Sequence, residues 1–165
     1  MKFLSIDQIE PMLAPPVRHR WHAIRSNAYS APQLARSIRV EGKDALTIFD
    51  LARFFRAYAF ARGEVFVWIE ERGPFSEAEE PHLFNCYLAG IGGSPSDAIW
   101  FEPDDQLVFA EVFALCLLFR WDFWLIDSSF TLMARHSHDT GVAIFRGSHE
   151  MIAAVSELCI DAEPQ

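Results

Sequence analysis

Across residues 107–119, LVFAEVFALCLLF, every position except Glu111 is apolar. A segment with almost no polar face predicts a helix enclosed on nearly all sides, not one lying amphipathically on a surface. Pro103 and Asp104 stand ahead of it as a start signal, with Asp104 placed to accept from the free amides of the first turn. Three β-type runs follow, at 121–126, 131–137 and 142–145, separated by the turn-prone Asp127-Ser128-Ser129 and His138-Asp139-Thr140-Gly141. This order predicts an antiparallel meander with the apolar helix packed across it.

Earlier in the chain the periods are shorter but readable. Ile6, Ile9, Met12 and Leu13 have helical spacing after Ser5, and Pro15-Pro16 stops that piece. Arg18-His19-Arg20-Trp21-His22 opens a basic helical piece with Trp21 and Ile24 on its inner side. Residues 35–40 alternate weakly and read as an edge strand. Residues 44–62 form the clearest amphipathic helix: Asp44 caps it, Ile48, Leu51, Phe55, Tyr58 and Ala59 make the stripe, and Gly63 takes the left-handed position after it. Residues 64–70 are apolar on both faces, which predicts an interior strand. Pro81 suits the first turn of a helix running to Ala89, residues 99–101 form a brief extended piece, and Gly147-Ser148 introduces a last helix with Met151, Ile152, Val155 and Leu158 inward. The predicted fold class is α+β: one domain over residues 1–165, a mostly antiparallel sheet with a C-terminal three-stranded meander, covered by helices.

Composition adds three constraints. A chain of 165 residues, 51% of them hydrophobic, can enclose a sizeable core and is too apolar for a disordered, solvating role. Cys86, Cys116 and Cys159 are odd in number, widely spaced and set among apolar residues, so they read as buried free thiols. The N-terminal stretch lacks the pattern of a secretory leader, and the apolar run at 107–119 is shorter than the roughly 20 residues a membrane span requires. The expectation is a cytoplasmic protein without membrane or nucleic-acid partners.

The net charge of −9 is divided unevenly. Residues 1–62 carry ten Lys or Arg against five Asp or Glu, and residues 63–165 carry four against eighteen. A strongly acidic second half repels phosphate backbones and steers basic proteins toward it.

Candidate chemistry concentrates in Arg135-His136-Ser137-His138-Asp139. If the strand extends through residue 138, alternation places His136 and His138 on one face, and with Asp139 they could hold a metal ion. Asp139 would serve to orient one of the imidazoles, and the sequence nominates no further ligand, His149 and Asp127 being arbitrary choices. The same residues also spell a hairpin turn in which Asp139 bonds its own backbone. Ser128 or Ser137 with His136 and Asp139 contains the residue types of a hydrolase, without the strand-turn-helix setting of a nucleophile elbow. The loop at 90–96 has a glycine-rich look, but it follows a helix and lacks the lysine of a phosphate cradle. His19 and His22 lie one helical turn apart on what reads as an exposed basic face. Glu111 marks either a solvent-facing line on its helix or an enclosed carboxylate.

The stretch Trp121-Asp122-Phe123-Trp124-Leu125-Ile126-Asp127, then Phe130 and Ala134-Arg135-His136-Ser137-His138-Asp139, resembles the C-terminal part of small bacterial immunity proteins of polymorphic toxin systems. The resemblance covers about a quarter of the chain. It implies a small acidic α+β domain, without a cofactor, that neutralises a basic protein toxin by covering it. Asp122, Asp127, Asp139 and Glu102 are the expected contacts, with Trp124 as an aromatic anchor. Two other readings stay open: a small metal-dependent enzyme built on His136, His138 and Asp139, and a structural or regulatory homo-oligomer, such as a homodimer, in which the basic half of one copy meets the acidic half of another.

Overall fold

The computed structural model describes residues 1–13, 15–26, 34–39, 43–61, 63–71, 79–90, 98–128 and 132–159. In chain order these form β1 (Lys2–Leu4), α1 (Ile6–Ile9) with a 3₁₀ turn at Glu10–Met12, α2 (Pro15–Arg25), β2 (Leu34–Arg39), α3 (Ala45–Phe60), β3 (Val65–Glu71), α4 (Glu79–Gly90), β4 (Ala98–Phe101), a 3₁₀ turn at Pro103–Asp105, α5 (Gln106–Leu118), β5 (Asp122–Asp127), β6 (Leu132–Ser137), β7 (Val142–Gly147) and α6 (His149–Leu158). The seven strands make one sheet in the order β1-β4-β3-β5-β6-β7-β2, and every neighbouring pair is antiparallel. The predicted class therefore holds, and β5, β6 and β7 are the expected meander.

The sheet has two unlike faces. On the first, α3 and α5 lie across the strands, with α4 and α6 contributing Leu88, Met151 and Val155. Alternation along β3 sends Val65, Val67 and Ile69 to this side, where they meet Phe123 and Leu125 of β5 and Ile99 and Phe101 of β4. Phe113 of α5 stands at the centre, its ring 5.4 Å from Phe55, 5.4 Å from Phe123 and 5.7 Å from Phe109. On the second face, α1 and α2 cover only one part of the sheet: Ile9, Leu13, Trp21 and Ile24 pack on Phe66 and Trp68 of β3, Ala98 of β4, and Trp124 and Ile126 of β5. Trp21 is fully enclosed there, 5.1 Å from Trp68 and 5.8 Å from Phe66.

Helix ends follow the local chemistry. The Asp44 carboxylate accepts from the Thr47 amide at 2.9 Å, and Ser148 Oγ accepts from the Met151 amide at 3.3 Å, the two N-caps the sequence nominates. At α5 the expectation needs correcting. Asp104 stays exposed, and it is the Asp105 carboxylate that accepts from the Glu102 amide at 2.9 Å, across a 3₁₀ turn that precedes the helix. The same helix ends in a Schellman arrangement, with Trp121 N–H donating to Cys116 O at 3.0 Å and Arg120 N–H to Leu117 O at 3.2 Å. Arg120 occupies the left-handed position at φ 55°, which glycine usually takes.

Other expectations change in detail. The helix at 106–118 is not enclosed all round: Leu107 is exposed, and Glu111 lies on the solvent side as acceptor from the Tyr87 hydroxyl. Of the three thiols, Cys116 is buried, Cys159 half-buried and Cys86 exposed. Strand β1 went unread because three residues carry no detectable period. The glycine-rich stretch 91–97 lies outside the described residues, as does the acidic tail after 159. Among the described residues no helix is long and apolar enough to cross a membrane.

Candidate functional site: the exposed face and turn of the meander

The end of α5 determines where the first candidate side chain goes. Because the Schellman turn swings Trp121 into the entry of β5, its carbonyl points at the paired strand, where His136 Nδ1 lies 2.8 Å from it. A carbonyl only accepts, so Nδ1 carries the hydrogen and donates, and Nε2 is left as a bare acceptor. The ring is enclosed at 1% exposure, stacked on Phe123 at 5.9 Å, and its Nε2 finds no hydrogen-bond partner among the described residues. Burial pushes the His136 pKa below the ordinary imidazole value, although the Trp121 carbonyl and Asp122 pull the other way. His136 is thus a neutral imidazole of the core face.

His138 does not join it. Strand β6 stops at Ser137, so the expected alternation through residue 138 is replaced by the turn closed by Gly141 N–H donating to His138 O at 3.2 Å. In that turn the His138 amide donates to Asp122 Oδ1, the same oxygen lies 3.0 Å from its Nδ1, and Asp139 Oδ1 lies 3.1 Å from its Nε2. Two carboxylates, one from the start of β5 and one from the β6–β7 turn, therefore flank one imidazole.

The metal reading loses its geometry here. His136 spends one nitrogen on a carbonyl and turns the other into the core, and His138 is held by aspartates. Among the described residues no group of three or more His, Cys, Asp or Glu is placed to hold a metal ion. The hydrolase constellation separates too. Ser128 donates its amide to Glu64 O at the far end of β5, and Asp139 partners His138, not His136. His22, on the exposed side of α2, sits 3.2 Å from Glu10 Oε1 of the preceding turn.

The five expected partner contacts do not form one surface. Asp122 and Asp139 come together at the β6–β7 turn. Glu102 and Asp127 lie at the opposite end of the sheet, since β4 and β5 both end there beside the start of β3. At about 3.3 Å per residue, the two ends of β5 stand roughly 17 Å apart. Asp127 is 4% exposed and Trp124 2% exposed, so neither is presented to a partner. Glu102 is already engaged by Lys2 at 2.9 Å, an attraction that raises the Lys2 pKa and lowers that of Glu102.

Trp124 instead organises the face around it. Its ring stacks on Trp68 at 5.7 Å, its Nε1 donates to Glu70 Oε2 at 3.0 Å, and the Arg135 guanidinium lies 4.3 Å over it. Glu70 thereby joins Asp122 and Asp139 at the acidic end of the sheet. Arg135 in turn borders a depression of about 360 Å³ whose other walls are Ser137, Thr140, Val142 and Ile144. Glu70 is not among the residues the sequence singles out, and Arg135 stands there only as the first member of the 135–139 cluster, without a role, although the period of two along β6 separates it from His136.

No protein-family model, no curated protein and no solved structure matches this chain.

Proposed function

We propose that the chain is a non-enzymatic binding protein of the immunity type, which engages a basic protein partner with the sheet end formed by Glu70, Asp122 and Asp139. The supporting observation is the convergence of Asp122 and Asp139 on His138, on a strand end and a tight turn. Both carboxylates lie against the His138 ring, Asp122 also accepts the His138 amide, and Asp139 remains 81% exposed. Carboxylates held on rigid elements meet a cationic surface without first losing side-chain freedom. The remainder of the acidic second half contributes long-range attraction, diminished where early-chain cations already engage it, as Lys2 engages Glu102 and the N-terminal amine engages Asp105.

The test is association with the product of the toxin reading frame adjoining its gene, followed by stopped flow at low and high salt. A complex is expected whose association rate falls as salt rises, and Asp139→Lys is expected to slow association about tenfold at low salt while leaving the fold intact. An association rate indifferent to both salt and Asp139→Lys would overturn the assignment of this surface. Absence of any complex would overturn the function.

A further inference from the structure

We infer that the depression on the meander is a binding site for a small organic carboxylate with an aliphatic body, and that Arg135 is the group that receives the anion. The argument starts from strand register. Arg135 pairs directly with Ile144, and Ser137 with Val142. Directly opposed residues of antiparallel strands share a face, so these four side chains stand side by side on the sheet surface opposite His136, Ala134 and Phe145. Thr140 closes the row from the turn, its hydroxyl 3.3 Å from Ser137 O. The depression they line, about 360 Å³, falls at the small end of the size range of small-molecule sites.

Its lining is chemically divided. Val142 and Ile144 form an apolar floor, Ser137 and Thr140 supply hydroxyls, and among the described residues that line the depression Arg135 supplies the charge. Arg135 is held against the face of Trp124, its guanidinium carbon 4.3 Å from the ring centroid, and a guanidinium held by an aromatic face keeps its donors for a planar anion. No carboxylate among the described residues is paired with it; Glu70, its neighbour across Trp124, spends Oε2 on the indole N–H. A planar fork of donors that no carboxylate of the described residues engages matches a planar carboxylate bidentately. Arg146 follows Ile144 in the same row and has a buried Nε without a hydrogen-bond partner among the described residues, so the positive potential extends along β7. Inorganic phosphate would leave the aliphatic floor unused, and a neutral alkane would leave Arg135 unpaired. A monocarboxylate with a branched aliphatic chain satisfies both.

The site does not depend on the proposed protein partner and is tested without one. Titrating isotope-labelled protein with 4-methylpentanoate is expected to give saturable amide shifts at Ser137, Thr140, Val142 and Ile144, with 4-methylpentanamide at least about tenfold weaker. Arg135→Gln is expected to abolish saturation, and Arg135→Lys, which keeps charge but loses the fork and the stack, to weaken it about tenfold. A Thr140→Val variant, altered only at the exposed turn, is expected to weaken binding several-fold with an unchanged unfolding midpoint. That arm keeps the inference testable should the Arg135 variants fail to fold. Equal response to acid and amide, shifts that never saturate, or binding indifferent to Arg135→Lys and Thr140→Val would each overturn it.

Discussion

Arg135 and His136 are adjacent in the chain and live in opposite worlds. His136 turns inward, stacks on Phe123 and becomes a neutral, enclosed ring, while Arg135 turns outward, lies over Trp124 and borders an open depression. The contrast extends to the whole meander: its inner face is covered by α3, α5 and α6, whereas among the described residues α1 and α2 pack on β1, β3, β4 and β5 on the outer side. One sheet therefore carries stability on one side and, over β6 and β7, leaves recognition chemistry on the other. The strand period of two separates those roles residue by residue.

The sharpest way to break this contrast is at the centre of the inner face. Phe113 touches three other aromatic rings and has no exposed surface, so Phe113→Ala removes their shared contact and leaves a cavity that rigid neighbours cannot fill. A loss of about 3–5 kcal/mol is expected in urea unfolding. A loss below about 1 kcal/mol would mean that α5 is not packed as described.

A matched pair of substitutions compares the two faces directly. Val67→Thr places a hydroxyl on the inner face, where Val67 is fully buried among Ile99, Leu125 and α5, and is expected to cost about 1–3 kcal/mol. Val142→Thr places the same hydroxyl beside Ser137 at the open depression and is expected to change stability by no more than about 0.5 kcal/mol. Equal costs in the two positions would erase the distinction between the faces.

Much of that distinction was legible in the chain. The period of 3.6 at 44–62 and the unbroken apolar run at 107–119 located α3 and α5, and the turn residues at 138–141 divided β6 from β7 correctly. What could not be read was partnership between distant strands. Trp124 looked like an exposed anchor because nothing local says that Trp68, 56 positions earlier, stacks on it. Asp127 looked like a surface acid because its 4% exposure arises from neighbours across the sheet. His136 and His138 looked like a pair because strand alternation was continued one residue too far, past the point where the Asp122 carboxylate claims the His138 amide and starts the turn. Glu70 became visible as a site residue, and Arg135 gained a role within its cluster, only once the register brought both to Trp124.

The smallest expected effect concerns the proton affinity of His136. Burial holds its folded pKa below the ordinary value of 6.5, so between that value and the lower folded one the unfolded chain binds a proton that the native protein refuses. Protonation then favours unfolding: the full contribution of this ring is present above about pH 6.5, and it is lost as pH falls toward the folded pKa. The carboxylates with depressed pKa values, Glu102 beside Lys2 and Asp44 at its helix cap, lose their contributions only on further acidification, below the ordinary values of 4.5 and 3.8. Comparison with His136→Gln isolates the one ring, because the amide side chain can donate to the Trp121 carbonyl and does not titrate. In thermal unfolding from pH 7.5 to 5, the native midpoint is expected to fall relative to that of His136→Gln. A constant difference across the range would show that the His136 ring takes up protons in the folded protein as readily as in the unfolded chain, which an enclosed imidazole with its second nitrogen turned into the core does not do.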